Sequence, residues 1–160
     1  MSGFSVRPNG GASADFRPEE VRILKDLVSQ FVDLIENRGP AGSDPALDRL
    51  LPDAYRDNAD NAEEFRRFTE TDLATRKVRN ARLVLAAIAV KPKKGIVTAT
   101  LDPPAVQSWL RSLTDVRLTL ASRLQIDQDG TLPAATDDMA VAVYEWLGYL
   151  QESLIGAIDR

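Results

Sequence analysis

The 160-residue sequence contains no cysteine and no histidine. The first absence excludes disulfides, thiolate nucleophiles, zinc–thiolate sites and thiol redox switching within this chain. The second removes the side chain best suited to proton transfer near neutral pH, which is also the commonest metal ligand. Carboxylates can still do chemistry, but without either residue the expectation is a protein that is not an enzyme and holds no cofactor or metal. Long apolar runs are missing as well. The longest, LVLAAIAV at 83–90, is far short of the roughly 20 residues of a membrane span. The opening MSGFSVRPNGG lacks the apolar stretch of a secretory signal, so the chain reads as soluble and cytoplasmic. Aromatic residues make up only 6%, few enough that the position of each matters.

What is present is ordinary globular composition, 44% hydrophobic and 28% charged, sufficient for one domain over 1–160 with its own core. FSVRPNGGASADF at 4–16 alternates around PNGG, whose Asn and Gly tolerate a hairpin turn. Pro18 then begins a helix, with Glu19 and Glu20 in its first turn. Val21, Leu24, Leu27, Val28, Phe31, Val32 and Ile35 recur at helical spacing until Gly39-Pro40. SDPALDRLLPDAY starts a short helix near Pro45, and NAEEFRRF at 61–68 a second. Thr69-Glu70-Thr71-Asp72 fits a capping box that opens a new helix, running to about Val90 before Lys91-Pro92. GIVTATL at 95–101 reads as a strand.

Asp102-Pro103-Pro104 launches a further helix with Val106, Trp109, Leu110, Leu113, Val116, Leu120 and Leu124 on one stripe. A loop at 126–138 leads to a last helix with Val143, Tyr144, Leu147, Leu150, Leu154, Ile155 and Ile158 inward. The expected fold is mainly α within the α+β class. About five helices accompany a small antiparallel sheet made from the N-terminal hairpin (1–17) and one central strand. The first helices fill 18–90, and the strand with two C-terminal helices fills 95–160. ADFRPEEVRIL and ATLDPPAVQSW echo one another when Phe16 is set against Leu101. Either two strand–helix units share one sheet, or the likeness is common strand–proline–helix punctuation.

Charge is unevenly spread. Residues 1–60 carry 7 basic and 11 acidic side chains, 61–100 carry 9 and 4, and 101–160 carry 4 and 9. On an ideal helix Leu73, Val78, Ala81, Val84, Leu85 and Ile88 share one face, with Arg76, Arg79 and Arg82 fanned across the other. Two readings compete. The arginines, with Lys91, Lys93 and Lys94 beyond them, could track nucleic-acid phosphates. Against that, they are the solvated side any amphipathic helix needs, and the acidic balance of the whole chain fits poorly with a dedicated nucleic-acid binder. An acidic body with one basic face also suits head-to-tail self-association or a partner with an acidic patch. Leu83 falls among the arginines, a pattern found at protein interfaces.

Arg117 and Gln151 fall on apolar stripes, so they read as a buried polar pair, with a small-anion pocket as the alternative. Trp146 and Tyr149 fall on the rim or outside of the last helix, as a dimer or partner anchor or as cover for loops. Asp127-Gln128-Asp129-Gly130 fails as a calcium loop, because Gln125 and Thr136 would occupy the positions that need acidic ligands.

DPALDRLLPDAYRDN, EEFRRFTETDLATRKVRNARLVL, WLRSLTDVRLTLASRL and YEWLGYLQESL carry a family resemblance. The chain resembles an actinobacterial family of uncharacterised proteins encoded near the Clp protease adaptor ClpS, which includes AosR-like oxidative-stress transcription regulators. The resemblance implies regulation through protein partners of the transcription or proteolysis machinery, or through a homodimer. It also implies redox sensing by paired cysteines, which this sequence does not have.

Overall fold

A computed structural model describes residues 3–39, 44–51, 63–124 and 138–159, with backbone alone at 63–68. Strands β1 (Ser5–Val6) and β2 (Ala12–Phe16) are joined by the PNG turn. The Gly10 N–H donates to the Arg7 carbonyl at 3.0 Å, and Gly10 sits at φ +87, where a residue without Cβ carries no steric cost. A Cβ on the next residue, Gly11, would land on the carbonyl oxygen of Leu101. That close approach lets β3 (Val97–Leu101) pair with β2, giving an antiparallel sheet in the order β1-β2-β3. Ala12, Ala14 and Phe16 of β2 and Val97, Ala99 and Leu101 of β3 face the core. Asp15 and Thr98 are paired across the strands on the outer face, where the Thr98 hydroxyl donates to the carboxylate at 2.6 Å.

Helix α1 (Pro18–Glu36) follows β2 at once, and α4 (Pro103–Arg123) follows β3. Each has proline in its first turn and a side chain engaged in capping. The Arg17 N–H donates to the Glu20 carboxylate at 2.8 Å, and Asp102 accepts from the Ala105 N–H at 2.9 Å. The offset that takes Phe16 to Leu101 takes Ala14 to Ala99, and those two alanines are directly opposed in the β2–β3 register. The two strands are therefore related by a local twofold axis through that pair, and each leads through a proline into a helix. The echo in the sequence is a geometric relation: Leu24 and Trp109, Val28 and Leu113, and Phe31 and Val116 are matched positions, all buried.

The rest of the core closes around this arrangement. Trp109 is stacked on Phe16 at 6.1 Å and meets Phe4 edge-on at 5.3 Å. Helix α2 (Pro45–Leu50) lays Ala46, Leu47 and Leu50 inward. It is tied to the end of α4 by a two-pronged ion pair, Arg123 to Asp44 at 2.7 and 2.9 Å. Helix α3 (Glu63–Ile88) packs against both α1 and α4, and α5 (Asp138–Ile158) against α4, β1 and β2.

Three expectations are corrected here. Thr69 does not start a helix, because α3 runs unbroken from Glu63 and has no proline or glycine to interrupt its backbone hydrogen bonds. Trp146 is buried, with 8% of its surface exposed, while Ile155, expected inward, is exposed. Contact with a helix and the hairpin together rotates and widens the covered sector of α5. The loop expected at 126–138, with its failed calcium pattern, lies outside the described residues except for Asp138, the first residue of α5.

Candidate functional site

Helix α3 is held by a seam of Ala74, Ala81, Val84 and Ile88, all buried, with Leu73, Val78 and Leu85 half-buried. Arg76, Arg79, Arg82 and Leu83 stand outside that seam and are exposed. Their charges are not equally available. Arg76 is paired with Asp72 one turn back at 3.2 Å, and Arg82 reaches across to Glu36 of α1 at 2.8 Å. Arg79 makes no ion pair among the described residues. Leu83 keeps 45% of its surface exposed beside these arginines.

Between α1 and α3 lies a groove of about 650 Å³. Ile35, Ala74 and Val78 give it an apolar floor, and Arg79, Arg82 and Leu83 line its edge. At one end Arg38 is fixed by Glu70 and by the Ile35 carbonyl, both at 2.8 Å. Beyond the helix, Lys91, Lys93 and Lys94 are exposed on a tight turn. Lys93 and Ile96 exchange hydrogen bonds at 2.8 and 3.0 Å around Lys94 and Gly95, both at positive φ, as in a two-residue hairpin. Lys93 and Lys94 of the Lys-rich stretch thus sit on a tight, hydrogen-bonded turn.

The other flank of α3 faces α4 and is chemically different. Lys77 Nζ donates to Asp115 Oδ1 at 2.6 Å. Asp115 is only 3% exposed, and its Oδ2 is buried with no hydrogen-bond partner. Burial pushes the Asp115 carboxyl above its ordinary range, and the hydrogen bond and charge of Lys77 oppose that push. A cleft of about 520 Å³ opens over this pair and includes Arg76, Asn80 and Arg111 in its walls. The sequence reading missed Asp115. A signal for it exists in Ser108, Ser112 and Asp115, a second stripe on α4 of small or polar residues, all buried, which is what close approach by another helix requires.

Arg117 and Gln151 are half-buried rather than sealed. Arg117 donates to Gln151 Oε1 at 3.1 Å and lies 4.3 Å over the Tyr144 ring. Gln151 in turn donates to the Thr114 hydroxyl at 2.6 Å. These contacts join α4 to α5, while Arg117 Nε is buried without a hydrogen-bond partner among the described residues. Of the aromatic pair on α5, Tyr149 alone is exposed. It sits next to Gly3.

The geometry defines a mainly helical α+β protein whose most distinctive surface is a long helix with an apolar-floored groove along one flank and a polar cleft along the other. Residues 1–158 match the family model described as a domain of unknown function, DUF2017, and the chain belongs to that family. Curated relatives from Mycobacterium bovis and Mycobacterium tuberculosis, each named oxidative stress regulator AosR, are 26% identical over 173 residues. The likeness covers 86% of this chain and 78% of each relative. No solved structure matches.

Proposed function

We propose that this protein is a non-enzymatic, stress-linked regulator that acts by gripping a protein partner along the α1/α3 groove, without a thiol switch of its own. The observation that carries the reading is Leu83, half-exposed beside Arg79 at the edge of a groove whose floor is apolar. Arginine is enriched at interface centres, and an exposed apolar side chain beside it adds surface that a partner would desolvate. The name of the mycobacterial relatives supports the regulatory part. The partner that fits is a helix of the transcription machinery with an apolar stripe and an acidic residue for Arg79.

Site-specific photo-crosslinking from position 83 in stressed cells tests this, with Gln107 as an exposed control position. A defined transcription-machinery adduct from position 83 alone is expected. Leu83→Asp should lose the stress response while keeping the wild-type melting temperature. Equal labelling from both positions refutes the reading.

A second reading, direct DNA binding, draws on the three exposed lysines beyond α3. Ion pairs occupy Arg76 and Arg82, which weakens the arginine fan as a phosphate track. Fluorescence anisotropy with random duplex DNA over a salt series decides it. Salt-steep binding lost in the Arg76/Arg79/Arg82→Ala variant favours DNA, and no binding at low salt removes that reading.

A further inference from the structure

We propose that the outer face of α5 docks on the exposed edge of α3 in a second copy of the chain, joining two helices of opposite charge head-to-tail. The contact covers the same Leu83 edge that a protein partner would grip, so the two compete for it. It is measured on the purified chain alone and therefore stands or fails apart from the partner reading.

The solvent side of α5 repeats every seven residues. Asp138, Glu145, Glu152 and Asp159 recur at that interval, and Ala142, Tyr149 and Gly156 recur at the same interval between them. All seven are exposed. Such a repeat drifts by only about 20° per heptad on a straight helix, so the acids form one row with the small and aromatic side chains beside it. This alternating four-and-three spacing is the one with which a helix receives another helix. The charge is of one sign, since no lysine or arginine occurs between Arg123 and Arg160. None of the four acids makes an ion pair among the described residues.

The complement stands on α3. Arg79, Leu83 and Ala86 are exposed at the same spacing, continued by Val90 just past the helix end. No acid occurs between Asp72 and Asp102. Arg82 is engaged by Glu36, but Arg79 and the three lysines beyond the helix make no ion pair among the described residues. Of the six large apolar side chains most exposed among those residues, Leu83, Val90, Tyr149 and Ile155 lie on these two faces.

The two spacings fit in either direction. With Leu83 set against Tyr149, Arg79 meets Glu145 if the helices are parallel and Glu152 if they are antiparallel, because an acid lies one turn to each side of Tyr149. Val90 then falls on Gly156 or Ala142, both small enough to admit it. Pairing α3 with α3, or α5 with α5, would instead set like charges together. Within one chain both helices pack on α4 with these faces turned to solvent, so each finds its complement on another copy. Two copies that make the contact reciprocally close as a twofold dimer.

Sedimentation velocity of the full chain, from micromolar to millimolar concentration at low salt, is the test. Wild type should pass reversibly from monomer to dimer, with association at least about tenfold weaker in about 0.5 M salt, where the charge pairs are screened. Arg79→Glu/Leu83→Asp and Glu145→Lys/Glu152→Lys change only exposed side chains, one face each, and should keep the wild-type melting temperature. Each variant alone should stay monomeric. Mixed, the two should form a one-to-one complex, because each supplies the face the other lacks. The proposal is overturned if wild type remains monomeric at millimolar concentration, if either variant associates as wild type does, or if the mixed variants stay apart.

Discussion

Replacing Lys77 by methionine keeps the length and apolar stem of the side chain but leaves the Asp115 carboxylate in the α3/α4 interface without its counter-ion. Lys77 and Asp115 side chains are 18% and 5% exposed, with 2.6 Å between Nζ and Oδ1. Removing one partner of so buried a pair typically costs about 3–5 kcal/mol, because the remaining charge has neither water nor partner. The carboxyl can escape part of that cost by taking up a proton.

Its pKa is already raised by burial, so the folded state binds that proton more tightly than the unfolded chain. Stability from this group is therefore greatest below the unfolded pKa and falls as pH rises through the folded one. Loss of Lys77 lifts the folded value further and moves the decline upward in pH. Urea unfolding followed by tryptophan fluorescence should show Lys77→Met near wild type at about pH 4 and most destabilised at about pH 7. The double variant Lys77→Met/Asp115→Leu, which removes both charges, should return to within about 1 kcal/mol of wild type or exceed it. A loss below about 1 kcal/mol in the single variant, flat across pH, would refute the burial argument.

Other consequences can be measured with the same unfolding assay. Trp109→Ala removes the ring that joins Phe4 and Phe16 and should cost about 3–5 kcal/mol. Lys94→Asn places a residue tolerant of positive φ where Lys94 is held at φ 53, and should raise stability by about 0.5 kcal/mol. Asp44 has its carboxyl held below the usual range, chiefly by its hydrogen bond to Arg123. Its contribution is therefore present at neutral pH and is lost as pH falls through its folded pKa. Arg123→Ala should cost no more than about 1 kcal/mol at neutral pH and make acid unfolding less steep.

The legible parts of the fold were those in which local and tertiary preferences agree. PNGG, alternation in β2 and proline at the heads of α1 and α4 each point to the element that forms. The start of α3 was not legible because a capping box and a helix interior can share one sequence: Thr69 and Asp72 prefer a helix start, yet the chain around them has nothing that stops a helix. Trp146 was misplaced because a single helical stripe was counted, whereas α5 is covered from two directions by α4 and the hairpin. Arg79, Arg82 and Leu83 were identified as an exposed group from spacing alone. The groove beside them was not, since it depends on how far α1 stands from α3. Asp115 escaped notice because its partner Lys77 lies 38 residues away, and no periodicity links the two.

Helix α3 lies between α1 and α4 with an opening on each side. Both openings share α3 as a wall, so a displacement of the helix that widened one would narrow the other. Occupants of the two openings are then linked, and whatever one does to the affinity of the other is returned by the same factor. With no thiol to oxidise, the position of that one helix is where an occupant of one opening would bear on an occupant of the other.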